Sequence, residues 1–136
     1  MVTLTKDAMS ITREVDVIPF RNRLKEFTVK IGFSLVNQTK TITAASELAR
    51  NMLKYAGGGI ATIEVLSKGR ENGIRLIFAD QGPGIPDLKL AMKDGFSTGK
   101  SLGLGLPGTR RLMSEFDIVT EVGKGTTVTV VKWKNG

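Results

Sequence analysis

Residues 35–56 carry the strongest helical pattern in the chain. Ile42, Ala45, Ala49, Met52 and Ala56 recur at alternating three- and four-residue spacing, which draws one apolar stripe along a helix of about 3.6 residues per turn. The triplet Gly57-Gly58-Gly59 ends it, because glycine readily takes the left-handed conformation that closes a helix. The next segments, IATIEVLS and GIRLIFAD, are rich in β-branched and apolar residues and are joined by the polar turn KGREN. They read as an antiparallel hairpin.

Upstream, SITREVDV reads as a strand leading to a helix start, with Asp16 as N-cap and Pro19 in the first turn, where its missing N–H does little harm. That helix is expected to run to about Lys30 and stop near Gly32. The last third offers a short helix, PGTRRLMSEF, then strands DIVTEVG and TTVTVVKW joined at GKG. The order β-α-α-β-β, glycine region, α-β-β predicts an α+β two-layer sandwich, a mixed and mostly antiparallel sheet with helices on one face. With no internal repeat, low-complexity tract or linker, residues 1–136 are read as a single domain.

Composition narrows the chemistry. The 136 residues are 40% hydrophobic and 24% charged, as in ordinary globular proteins. No apolar run approaches a membrane span and no signal peptide is read at Met1, so no membrane association is expected. The chain has no cysteine, which excludes disulfides and thiolate metal sites and fits a cytoplasmic protein. It also has no histidine, which removes the commonest general base and metal ligand and any phosphohistidine chemistry. The net charge of +7 points to an anionic partner, although a solvated surface accounts for most of the lysines. Trp133 and Tyr55 alone make no stacking platform and no DNA- or RNA-binding motif is present, so no nucleic-acid partner is expected.

Within the long helix, ELARN places Glu47 and Asn51 four residues apart, one above the other and far around the axis from the apolar stripe. An ordinary reading is a polar surface with Glu47 and Arg50 as a helical pair. The alternative is a division of labour: a carboxamide oxygen suits one position of an octahedral Mg²⁺, and a carboxylate can accept a proton from water or a hydroxyl attacking a phosphoryl group. The second reading holds only if the glycine-rich region turns back over this face.

That region, DQGPGIPDLKLAMKDGFSTGKSLGLGLPG, holds seven of the sixteen glycines. Glycine costs conformational entropy in ordered structure, so such density implies either a flexible linker or a backbone that something approaches closely. Asp80, at the end of RLIFA, caps the turn or accepts a hydrogen bond from a purine amine, with Gly82 and Gly84 clearing the way for a flat ring. Gly103, Gly105 and Gly108 precede a helix starting near Pro107, where backbone N–H groups favour phosphate oxygens. Between them, DGFSTGKS suits a flap carrying Lys100 for phosphate charge. GLGLPG has the GxGxxG spacing without a βαβ context, and no Walker A loop is present.

ExxRN on a helix, DxGxG after a strand, a flap, GLGLPG and finally GKGTT, in this order over residues 47–127, resemble the GHKL ATPase superfamily of gyrase, Hsp90, histidine kinase and MutL types. The resemblance implies a Bergerat fold with ATP held between the helix layer and a lid. It implies that Asn51 binds Mg²⁺ and Glu47 acts as base. It further implies that Asp80 meets the adenine amine beside Gly82 and Gly84, that Gly103 and Gly105 frame the phosphates, and that Thr126 supports the adenine site. Gyrase, Hsp90 and MutL relatives carry further domains that a chain of this length is not expected to supply, and a sensor histidine kinase needs a histidine. ELARN, ADQGPGIP, KDGFST, GLGLPG, RRLMSEF and VKW are similar to the free-standing serine/threonine kinases that switch bacterial stressosomes. Membership there implies phosphorylation of STAS-domain stressosome proteins and, after release, activation of a PP2C-type phosphatase. Lys100, with Arg110 or Arg111, is expected to stabilise phosphate charge. The alternative is an anti-sigma factor kinase that sequesters a sigma factor and phosphorylates a STAS antagonist.

Overall fold

A computed structural model describes residues 1–92 and 105–136. The chain enters as strand β1 (Val2–Ile11), passes a short 3₁₀ turn at Glu14–Asp16 and forms helix α1 (Val17–Lys30), then α2 (Leu35–Ala56). Strands β2 (Gly59–Lys68) and β3 (Glu71–Ala79) follow, then the short helices α3 (Leu88–Ala91) and α4 (Leu106–Leu112), and last β4 (Glu115–Glu121) and β5 (Gly125–Trp133). The sheet order is β1-β2-β3-β5-β4.

Every neighbouring pair of strands is antiparallel, so the expected mixed sheet is corrected to an antiparallel one. The reason is topological: β4 runs the same way as β3, but β5 folds back between them and separates the two. One face of the sheet, built by Ile63, Val65, Ile74, Leu76, Phe78, Val128 and Val130, packs into a single core with Phe20, Leu24 and Phe27 of α1 and Leu48, Ala49 and Met52 of α2. Phe20 meets Phe78 edge to face with centroids 5.7 Å apart, a favoured aromatic geometry. This is the two-layer α+β arrangement anticipated above.

Three local differences have physical causes. The first strand covers Val2–Ile11, ahead of the SITREVDV segment expected to hold it. Asp16 makes no side-chain cap on α1. Its carboxylate instead reaches back to the N–H groups of Thr12 and Arg13 and the Thr12 hydroxyl, closing the 3₁₀ turn, and these bonds hold its pKa below the usual carboxylate value. The helix expected through Phe116 ends at Leu112, because Glu115 and Phe116 pair with Val131 and Val130.

Helix α2 positions the site. Ser34 caps its first turn by accepting the N–H of Asn37, and Gly57 ends it at φ 75°. Of the expected stripe, Ala45, Ala49 and Met52 are buried, while Ile42 and Ala56 are half-buried. Burial extends around the axis to Thr41, Ala44 and Leu48, since α2 touches α1, α4 and three strands. Its C-terminal half therefore carries Glu47 and Asn51, both half-buried, on a rigid support beside the ends of β3 and β5.

No helix among the described residues is long and apolar enough to cross a membrane.

Candidate functional site

Asp80 leaves the end of β3 and is fixed by the backbone on two sides. Its N–H donates to the Thr126 carbonyl at 2.9 Å. Its Oδ1 accepts the N–H of Gly82 at 2.9 Å and of Thr126 at 3.2 Å. One carboxylate oxygen is therefore committed to the turn, and among the described residues no hydrogen bond or ion pair engages Oδ2. The turn-capping reading of Asp80 is seen directly, since Oδ1 holds the N–H of Gly82 in the GPG turn.

The loop after Asp80 lies against the β4–β5 hairpin. Gly123 donates its N–H to the Pro83 carbonyl at 2.9 Å, and Ile85 donates its N–H to the Thr120 hydroxyl at 2.8 Å. Gly84 sits at φ 79° with the Glu121 carbonyl where a Cβ would stand, and the space beside Gly82 is filled by Ala56, whose Cβ would be 2.5 Å from a side chain placed there. These glycines let the loop lie close to the protein itself. Gly84 borders the hollow described next, and Gly82 is not among its lining residues.

A hollow of about 500 Å³, including the space at its mouth, opens between α2 and the sheet. Its walls are largely apolar: Leu48, Met52 and Tyr55 from α2, Phe78, Ile118 and Val128 from the sheet, and Ile85 and Leu106 from the connections. Its polar groups are Asn51, Asp80 and Thr126. An apolar slot with a few convergent polar groups is the usual form of a small-molecule site. Lys54 lies 5.2 Å from the centre of the Tyr55 ring and lends that wall a cation.

The structure thus brings Asn51, Asp80, Gly84 and Thr126 to one place. Glu47 stands one turn before Asn51 and packs against Gly105, the residue before α4, which adopts φ 67°. A side chain at Gly105 would meet the Glu47 carboxylate at 2.7 Å. Arg50 of the same helix turns away to pair with Glu14 at 3.2 Å, not with Glu47. Lys100 and Gly103 lie outside the described residues.

Among the described residues no cluster of three carboxylate, histidine or cysteine groups could hold a metal by itself. The donor set fits a cation carried in with phosphates, because the neutral Asn51 carboxamide is a hard oxygen ligand at the edge of the hollow. The sequence reading missed Thr120, Ile85 and Tyr55. Thr120 had a signal: it follows Phe116 and Ile118 at two-residue spacing on the inward side of β4, and a hydroxyl on an apolar face needs a partner.

An antiparallel sheet covered by two helices, with Asn51 on the helix side and Asp80 at a strand end beside one hollow, is the arrangement in which this chain's class is read. The chain belongs to the histidine kinase-, DNA gyrase B- and HSP90-like ATPase family, which matches residues 36–135. Over 94% of its length it is 42% identical to the serine/threonine-protein kinase RsbT of Bacillus subtilis, 96% of which is covered. It is 29% identical to the anti-sigma F factor of Geobacillus kaustophilus over 78% of this chain and 76% of that one. The fold is shared with the catalytic domain of histidine kinase ThkA, with a TM-score of 0.52 at 15% identity over 94% of this chain and 96% of that one.

Proposed function

We propose that this chain is a cytoplasmic, ATP-dependent protein serine/threonine kinase that phosphorylates STAS-domain stressosome proteins and, once released from them, binds and activates a PP2C-type phosphatase. Kinase activity is supported by the near full-length similarity to a serine/threonine-protein kinase, and nucleotide use by membership of the ATPase family. The observation that carries the reading is the meeting of Asn51 and Asp80 across one apolar hollow, with Glu47 one turn before Asn51 on α2 and against Gly105.

Phosphoryl transfer requires mainly positioning and charge neutralisation. The purine enters between Met52, Phe78 and Ile85, and Asp80 Oδ2 accepts from its exocyclic amine. Asn51 holds Mg²⁺, which neutralises phosphate charge when bound. The acceptor hydroxyl oxygen attacks the γ-phosphorus and the bond to the β,γ-bridging oxygen breaks, leaving ADP. Glu47 accepts the hydroxyl proton, and Gly105 permits that carboxylate to stand against the backbone beside the phosphates. Gly103, Lys100 and the arginines Arg110 and Arg111 supply further phosphate contacts in this reading.

The test is incubation with γ-labelled ATP, Mg²⁺ and STAS-domain proteins from the same cell. Label on a serine or threonine of a STAS protein is expected. ATP binding without label on any STAS protein overturns the kinase reading in favour of a nucleotide-gated binding module.

A second reading, a kinase that also sequesters a sigma factor, is favoured by the similarity to anti-sigma F factors. Co-purification separates them: a sigma subunit in one case, a STAS scaffold or phosphatase in the other.

A further inference from the structure

We propose that a second hollow, across α2 from the nucleotide site, docks an acidic segment of the STAS-domain protein that receives the phosphoryl group. This rests on the kinase reading above and adds to it the surface and the charge that recognise the protein substrate.

Helix α2 separates the two hollows. The first takes Leu48, Asn51, Met52 and Tyr55 from it, and the second takes Arg50, Leu53, Lys54 and Gly57. At about 100° per residue, Asn51 lies about 40° to one side of Glu47 around the axis and Arg50 about 60° to the other. Glu47 lines neither hollow and stands between the two faces. In phosphoryl transfer the attacking and leaving oxygens lie roughly in line through the phosphorus. A nucleotide that enters on the Asn51 side keeps its leaving ADP on that side, so the acceptor hydroxyl comes over Glu47 from the other. The second hollow lies on that path.

Its chemistry suits an anionic partner. The volume is about 750 Å³, including the space at its mouth, and the turn after β1 supplies its far wall with Thr12, Arg13 and Glu14. Arg13, Arg50 and Lys54 bring three cations, against the single carboxylate of Glu14. Asp16, next in the turn, is committed to the N–H groups of Thr12 and Arg13. Arg50 meets Glu14 at 3.2 Å, with the two side chains 50% and 69% exposed. So open an ion pair contributes little to stability, and a carboxylate of the partner can take the place of Glu14 at small cost. Complementary charge around a docking site fixes the register of the partner and speeds encounter.

The experiment follows label from γ-labelled ATP to a STAS-domain protein of the same cell. That protein is titrated at saturating ATP and Mg²⁺ for the parent, the double variant Arg13→Gln/Arg50→Gln, and Glu14→Gln. The double variant is expected to raise KM for the STAS protein about tenfold, with kcat and ATP affinity at parental values, the mark of lost substrate binding alone. Glu14→Gln releases Arg50 and should lower that KM about threefold. Were the Arg50–Glu14 pair only a brace for the turn, loss of either member would act in the same direction. A parental KM in the double variant overturns the proposal, as does a rise in KM in both variants. A parent that binds ATP but labels no STAS protein overturns the kinase reading, and the proposal with it, a separate outcome from either of these.

Discussion

Two carboxylates on the same sheet are handled in opposite ways. Glu64, in the middle of β2, is buried and faces Arg75 across the β2–β3 register, with the guanidinium 2.5 Å away. Its charge is answered by a side chain on the neighbouring strand. Asp80, at the end of β3, has no counter-ion among the described residues and is held by backbone N–H groups on one oxygen only. The first arrangement joins two strands and offers nothing to a ligand. The second orients a charged group rigidly and keeps half of it unspent. A paired charge in the centre of a sheet is therefore a structural device, and a charge held only by backbone at a strand end beside an apolar hollow has the form the proposed binding role needs.

The contrast yields graded expectations. The largest concerns a third carboxylate, Glu47, which stands one turn before Asn51 on α2 and against Gly105. Glu47→Gln should lower phosphate transfer by about 10²–10⁴-fold, the usual range for a general base, with ATP affinity little changed. Single-turnover transfer beside a binding titration checks this, and parental transfer removes the base assignment.

Next is Asp80→Asn. The amide oxygen can keep the turn bonds, which leaves an NH₂ facing the purine amine. ATP affinity should fall by roughly 100-fold, as expected when a buried ligand group meets a like donor. The melting temperature should move by only a few degrees. A protein that melts far earlier while still binding ATP would place Asp80 with Glu64 among the structural carboxylates.

Glu64→Ala should show the reverse. Removing one member of a largely buried pair strands Arg75, whose side chain is 24% exposed, so the cost should be about 2–3 kcal/mol, somewhat below that of a fully buried pair. ATP affinity should stay at the parental value, and denaturant titration with and without nucleotide separates the two effects.

The smallest effect is expected at Lys132, a buried lysine opposite Ile74 in β5 that forms no ion pair among the described residues. Burial, with a smaller contribution from nearby Lys40, pushes its pKa below the ordinary 10.5. Between that lowered folded value and 10.5 the unfolded chain binds more protons, so stability should rise with pH across this window. Lys132→Met should abolish that part of the rise and stabilise the neutral protein by about 1 kcal/mol. An unchanged pH slope in the variant would show that Lys132 does not carry it.

Much of this molecule was legible because its elements announce themselves locally. The stripe of α2, the terminator at Gly57 and the β2–β3 hairpin each depend on residues close together in sequence. Asn51, Asp80 and Thr126 were singled out for another reason, that their motifs occur in a familiar order, and the structure brings the three to one hollow. The parallel pairing expected in the sheet was not realised, since periodicity reports which segments are strands and is silent on which strand lies between two others. Asp16 was misread because an acceptor at a helix start serves equally well one turn earlier.

By itself, then, the amino-acid order determined most of the element types and the absence of histidine and thiol chemistry. Only tertiary structure decided that Gly82 and Gly84 make room for Ala56 and the Glu121 carbonyl, and that Thr120 stands behind Thr126. Spacing along a chain encodes periodicity, but the partner of a hydroxyl or of a missing Cβ is chosen by segments far apart in sequence. Their approach is set by how the helices and the hairpin pack around the common core.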